Sequence, residues 1–456
     1  MKRAKKTTTV ALTMFAVGGL VAGCGTTNQT TNSTTGNTPS SNATGSNSTN
    51  TTGTNGVVDF SKASGTVVWA APPITHQGLR KTLITEFEKA YPNIKVQLQD
   101  QNNNTDTNKA SLTTTIGGGS ASPDVYMGDV VWPAQFASNQ LAMPLNSVLP
   151  ANFWSRFSSG LVQGATYKGQ VYAAPFFADS GFLFYRKDLL AKANLPVPTS
   201  WEQVQSEAAQ LQKSGAVKYG FVWQGASYEG LTCDFMEYLT DAGGQVLASN
   251  GQPQLDTPQA TKALTFMRGL ITSGVSPKAE VTFQESQSEN VFLQGDAAFQ
   301  RNWSYVWADS QNTANSKVVG KVGVTVLPTF GGGGGYSTIG GWDLYVNPHS
   351  KNVAADLAFL DWMTGTQAQT IMAEQFSEIP TNAAVASDPA VQAKSPIFQI
   401  ISKTHYVSRP DQSPNYAQIS QAIYSNVNAA LAGSVSVDSA LKSAQQQITQ
   451  AQNGGL

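Results

Sequence analysis

The chain has 456 residues, 28 Lys and Arg against 29 Asp and Glu, a formal charge of −1, and only 12% charged residues. Setting aside the four basic residues of the first six positions leaves 24 against 29, a formal charge of −5. That balance argues against a nucleic-acid partner, which needs a basic surface. Three histidines, far apart and without ligand spacing, leave little room for histidine-based catalysis or metal binding; no cofactor and no metal site are expected.

The first residues, "MKRAKK", are basic, and an apolar run "VALTMFAVGGLVAG" follows at 10–23. The run is too short and Gly-rich to span a bilayer comfortably and fits the h-region of a secretory signal. It ends in "LVAGC", which resembles the lipobox of bacterial lipoproteins, so Cys24 is the expected lipidation site and 1–23 the expected signal peptide. Of the 32 residues at 25–56, all but Gln29, Pro39 and Ala43 are Gly, Ser, Thr or Asn. Such a segment buries too little surface to offset its ordering entropy. It is expected to act as a tether reaching roughly 30 Å, holding a soluble body at the outer face of a membrane through the lipid.

About 400 residues remain, too many for one ordinary core, so two lobes are expected. "GTVVWAAP" at 65–72 reads as a buried strand. Leu79, Leu83, Ile84, Phe87 and Tyr91 then recur at helical spacing until Pro92, and Ile94, Val96 and Leu98 alternate as in a strand. This βαβ order implies a parallel sheet. After a second helix around Leu112–Ile116, "PDVYMGD" reads as the next buried strand, and Pro133 suits the first turn of a helix. Asp129 therefore falls at the carboxyl end of a strand, where ligands of open α/β sheets bind. "YEGLTCDFMEYL" reads as a helix that buries Cys233 as a small apolar residue. "KVGVTVLPTF" and "GGWDLYVNP" read as strands around the glycine run 331–335, which lacks the Gly-Lys-Ser/Thr ending of a phosphate loop. The C-terminal part is helical, with Ile419, Ile423, Val427 and Leu431 on one face and Gly433 as a C-cap candidate.

Two chemistries are open to these residues. Asp129, Asp179 and Glu229 are carboxylates of the kind a glycosidase pairs. Alternatively, Trp132, Trp303 in "QRNWSYVW" and Trp342 in "IGGWD" stand beside polar groups at turn-marked positions. A sugar offers C–H faces to aromatic rings and a hydroxyl rim to charged or amide partners. Trp, Asp and Arg converging in a cleft would bind a disaccharide without a catalytic group.

The ordered segments "GDVVWPAQFA", "PFFADSGFLFYRKDLL", "GFVWQGASYEGLTCDFMEYL", "GDAAFQRNWSYVWA", "GGWDLYV" and "SRPDQSPNYAQISQAIYSNVNAALAG" resemble the family 1 solute-binding lipoproteins of ABC sugar importers, most of all the trehalose/maltose-binding branch. The resemblance spans 65–452. It implies a type II periplasmic-binding-protein-like α/β fold, with two lobes, a multi-segment hinge and a ligand cleft between them. The first lobe would hold 57–179 and about 328–365, the second about 180–327 and 366–456. The implied function is a monomeric, non-enzymatic receptor that binds trehalose, maltose or a short maltodextrin and delivers it to an ABC permease. The alternatives are a receptor for a non-sugar solute on the same fold and a surface glycosidase using Asp129 and Asp179. Matched residue by residue, binding carboxylates fall on Asp129 and Asp179 and stacking tryptophans on Trp303 and Trp342. Gly341 gives backbone contact, Arg409 in "SRP" is the sugar-clamping arginine, and Lys109 stands where relatives also carry Arg. Two positions depart from the family. The first strand–helix loop, "PPITHQGL", offers His76 or Gln77 where relatives have an acid, and Phe177 replaces a Tyr. Glu229 and Trp132 are further candidates, Trp132 either on the cleft rim or packed against its helix start.

Overall fold

A computed structural model describes residues 56–73 and 78–454. The expected signal, Cys24, most of the tether and His76 lie outside the described residues. Among the described residues there are fourteen strands: β1 Gly65–Ala71, β2 Ile94–Asp100, β3 Val125–Asp129, β4 Thr166–Tyr167, β5 Gln170–Val171, β6 Ala174–Asp179, β7 Gly181–Arg186, β8 Tyr219–Val222, β9 Ala297–Trp303, β10 Val322–Val326, β11 Tyr336–Thr338, β12 Gly340–Val346, β13 Ile379–Pro380 and β14 His405–Val407. β4 and β5 pair only with each other, as a hairpin.

Six strands form one sheet in the order β13-β6-β12-β3-β1-β2, and four form a second in the order β10-β7-β9-β8. The expected βαβ unit is present: β1 pairs in parallel with both β2 and β3. The intervening helix Leu79–Ala90 buries Leu79, Leu83 and Phe87, one face at a four-residue spacing. The first sheet is nevertheless mixed, because β12 runs antiparallel to both β3 and β6. These strands belong to chain segments that enter or leave from the other sheet, so they need no crossover helix to run against their neighbours.

Each sheet has its own core. Trp69 of β1 meets Phe176 and Phe359 edge-on beneath the first sheet. Trp201, Phe221, Tyr238 and the C-terminal helices Tyr416–Leu431 and Val437–Gln452 pack beside the second. Gly433, at φ 77°, follows the first of these helices, as expected of its C-cap region. The segment boundaries differ from the sequence expectation. The return to the first sheet begins at Gly340 rather than near 328. Its core extends past 365, since Ala368, Met372 and Phe376 of helix Thr366–Phe376 pack there and β13 pairs with β6. The apolar face of that helix fits the first core, a preference its sequence alone does not reveal.

The chain passes between the sheets three times: from β6 to β7 through Ser180, from β10 through β11 to β12, and from β13 through β14 to helix Tyr416–Leu431. β11 and β14 pair in parallel, Tyr336 opposite His405. Gly181 N–H donates to Ser337 Oγ at 2.7 Å, which joins the first two crossings. Among the described residues no helix is long and apolar enough to cross a membrane.

Candidate ligand site

The carboxyl end of β3 and the start of β12 meet a cavity with about 670 Å³ of space free of protein atoms, open solvent at its mouth included. It lies where the crossings converge, and Asp129, Asp179, Trp303, Gly340, Gly341, Trp342 and Arg409 line it. Asp129 and Trp342 are direct cross-strand partners. Gly341, at φ 126°, is required by backbone approach: a Cβ there would stand 2.5 Å from the Phe177 carbonyl oxygen. Gly340 is required by a ring, since its Cβ would lie 2.7 Å from Trp303 Cζ3. Trp303 on β9 thus reaches across to the first sheet.

Arg409 binds Asp129 in a two-pronged contact, Nη2 to Oδ1 at 2.7 Å and Nη1 to Oδ2 at 3.0 Å. Its Nη1 also donates to Glu229 Oε1 at 2.8 Å, and Nη2 to the Ile339 carbonyl at 3.2 Å. Tyr416 donates its hydroxyl to Glu229 Oε1, and Ser420 Oγ donates to Oε2 at 2.6 Å. Burial pushes the Glu229 carboxyl up, against the opposing pull of Arg409. Asp179 Oδ1 accepts the Ser180 and Ser304 N–H groups at 2.8 and 2.9 Å. Burial and the facing Glu378 nevertheless push its pKa up to about 7. Burial likewise pushes Glu285 up. The cavity therefore offers two indole surfaces, one guanidinium and four carboxylates, Asp129, Asp179, Glu229 and Glu285. An arrangement of flat apolar faces edged by strong acceptors suits a neutral, hydroxyl-rich molecule.

A profile of the family described as bacterial extracellular solute-binding protein matches residues 71–370. The chain belongs to that family. A relative named probable ABC transporter-binding protein, from Deinococcus radiodurans, is 35% identical over 361 residues, covering 77% of this chain and 85% of the relative. The solved structure of maltose-bound T. maritima MalE3 matches at a TM-score of 0.78 with 32% identity, covering 84% of this chain and 99% of that one. The GacH receptor of Streptomyces glaucescens, solved unliganded and with acarbose, matches at 0.74 with 26% identity, covering 85% and 98%. The fold is that of the type II periplasmic binding proteins.

In this solute-binding protein the sequence-derived candidates separate into groups. Asp129, Asp179, Glu229, Trp303, Gly341, Trp342 and Arg409 converge on the cavity. Trp132 does not line it: it is 2% exposed, stacks on Phe136 at 4.8 Å and meets Trp342 edge-on at 6.2 Å. Gly128 makes that packing fit, because a Cβ there would lie 2.6 Å from the Trp132 ring. Phe177 is buried in the first core, opposite Trp342 in the ladder, and does not line the cavity. Lys109 does not line the cavity either; it pairs with Asp106 Oδ1 at 2.9 Å. Asp106 Oδ2 in turn accepts the Glu229 N–H at 3.0 Å. It caps helix Glu229–Asp241, whose own N-cap residue Tyr228 supplies no side-chain acceptor. Asn103, Thr105, Glu285, Ser286 and Tyr305 line the cavity as well and were not singled out from sequence. The usable signals were local: Asn104 caps helix Thr105–Gly117, and Gln284 with Gln287 forms the capping box that opens helix Glu285–Leu293.

Proposed function

We propose that this protein is the receptor of an ABC sugar importer, binding a disaccharide, trehalose or maltose, or a short maltodextrin, between two lobes. The observation that carries the reading is the meeting of Trp303 and Trp342 with Asp129, Asp179, Glu285 and Arg409 around one cavity. The relatives support the ligand class, since MalE3 is described with maltose and GacH with acarbose. In this reading the two sheets head two lobes that close about the three crossings, and closure is what the permease reads. Cys24 carries the lipid that holds a monomer at the extracellular face of the membrane. Asp129 and Asp179 bind ligand without turning it over: one is engaged by Arg409 and the other by two backbone N–H groups.

Titration calorimetry with trehalose, maltose, sucrose and maltotriose tests this, at about 50 µM protein to capture roughly micromolar affinities. Heat with at least one disaccharide is expected. Silence with all four overturns the assignment. Chromatography of the same mixtures after long incubation should show intact sugar; products lost in Asp129→Asn would make the protein a glycosidase.

A further inference from the structure

Arg301 lies two residues before Trp303 on β9, so both side chains leave the strand on one face. It is 1% exposed and does not line the cavity. Its guanidinium carbon stands 4.2 Å from the centroid of the Trp303 ring, within the range of a cation–π contact. Each of the three guanidinium nitrogens has a partner. Nε donates to Glu237 Oε2 at 2.9 Å, Nη2 to Glu237 Oε1, and Nη1 to Gln224 Oε1 at 2.9 Å, with Asp234 Oδ1 at 3.1 Å. Glu237 Oε1 also accepts the Thr338 N–H of β11 at 3.1 Å. A cation held by Glu237, Gln224 and Asp234 backs one face of the ring, while the ring also lines the cavity.

We propose that Arg301 is the positioning residue of the Trp303 platform. Its buried guanidinium backs the ring, holds it toward the cavity, and through Glu237 ties it to the β11 crossing. The proposal rests on the assignment of Trp303 as a ligand-stacking surface. It goes beyond that assignment because Arg301 touches no ligand. The competing account is that Arg301 merely neutralises Asp234 and Glu237 in the core.

Arg301→Lys separates the two accounts: it keeps the charge between those carboxylates but loses the flat, forked group that backs the ring. In a double-mutant cycle with Trp303→Ala, read by maltose titration, Trp303→Ala should weaken binding more than tenfold. Arg301→Lys should weaken it about 5-fold alone, and under about 2-fold in the Trp303→Ala background. Equal losses in both backgrounds, or no loss in either, overturn the proposal while leaving the ligand reading in place. If Trp303→Ala itself changes nothing, or none of trehalose, maltose, sucrose and maltotriose gives heat with the wild type, the ligand reading fails instead; if another of them binds and maltose does not, that sugar replaces maltose in the cycle. Fluorine NMR of fluorotryptophan-labelled protein then decides alone, with the Trp303 line assigned by its loss in Trp303→Phe. Arg301→Lys should broaden or split that line, and an unchanged line overturns the proposal. The melting temperature of Arg301→Lys, measured alongside, identifies a variant that has failed to fold.

Discussion

Asp179→Asn should flatten part of the pH dependence of folding stability. The carboxyl is 8% exposed and its pKa is pushed up to about 7 by burial and the facing Glu378, against the pull of the Ser180 and Ser304 N–H groups. An unfolded aspartate titrates near 3.9. A folded pKa above the unfolded one means that the native state binds the proton more tightly. Its contribution is fully present below about pH 4 and is lost as pH rises through about 7. Roughly three pH units at about 1.4 kcal/mol each give about 4 kcal/mol. Asparagine keeps an oxygen for the two N–H groups and cannot ionise. Urea unfolding of both proteins at about pH 4.5 and about pH 7.5 measures the effect. The stability of the wild type relative to the variant should fall by about 2–4 kcal/mol between those conditions. Asp343, pushed up to about 8 by burial and Asp129, and Asp241, pushed up to about 7 by burial, titrate in the same window but cancel in the difference. Curves that stay parallel within about 0.5 kcal/mol would refute the reasoning.

Three further outcomes are expected. Asp129→Ala and Trp342→Ala should each weaken sugar binding more than about tenfold with the fold intact by circular dichroism, since one loses a strong acceptor and the other a stacking face; unchanged affinity in both would remove these residues from the site. Arg409→Met should lower unfolding free energy by about 3–5 kcal/mol, because it strands Asp129 and Glu229 in a largely buried setting. The Cys233 thiol, 2% exposed and pushed well above its ordinary pKa by burial, should resist alkylation in the native protein and react readily in urea, as read by peptide mass mapping.

Residues whose role follows from position on a strand were legible in the sequence. Asp129 ends a buried strand ahead of a proline-started helix, and that order alone places it at the carboxyl end of a sheet strand. The same stretch misleads about Trp132, because a helix beginning at Pro133 turns the preceding ring toward Phe136. Lys109 was open to a simpler reading, since Asp106 three residues earlier is an ordinary helical ion-pair partner. Arg409 reaches Asp129 across 280 residues of sequence, and no local pattern announces such a pairing; only the family resemblance placed it. Glu285 and Tyr305 escaped because their contribution depends on how β9 and its neighbouring helix face the first sheet, which is settled by packing between distant segments.

The bidentate grip of Arg409 on Asp129 has a thermodynamic consequence. A sugar hydroxyl that seeks the Asp129 carboxylate meets an acceptor already satisfied at 2.7 and 3.0 Å. Where the hydroxyl displaces the arginine, binding is an exchange of partners and gains only the difference between two hydrogen bonds; where it adds, it shares an oxygen whose charge the arginine already offsets. The internal pair keeps the carboxylate oriented and spares it the cost of standing bare in a largely buried setting. It also caps the affinity this position can contribute. For a receptor whose cargo must be surrendered within each cycle, a site that re-forms its own contacts as the sugar leaves favours release as much as capture.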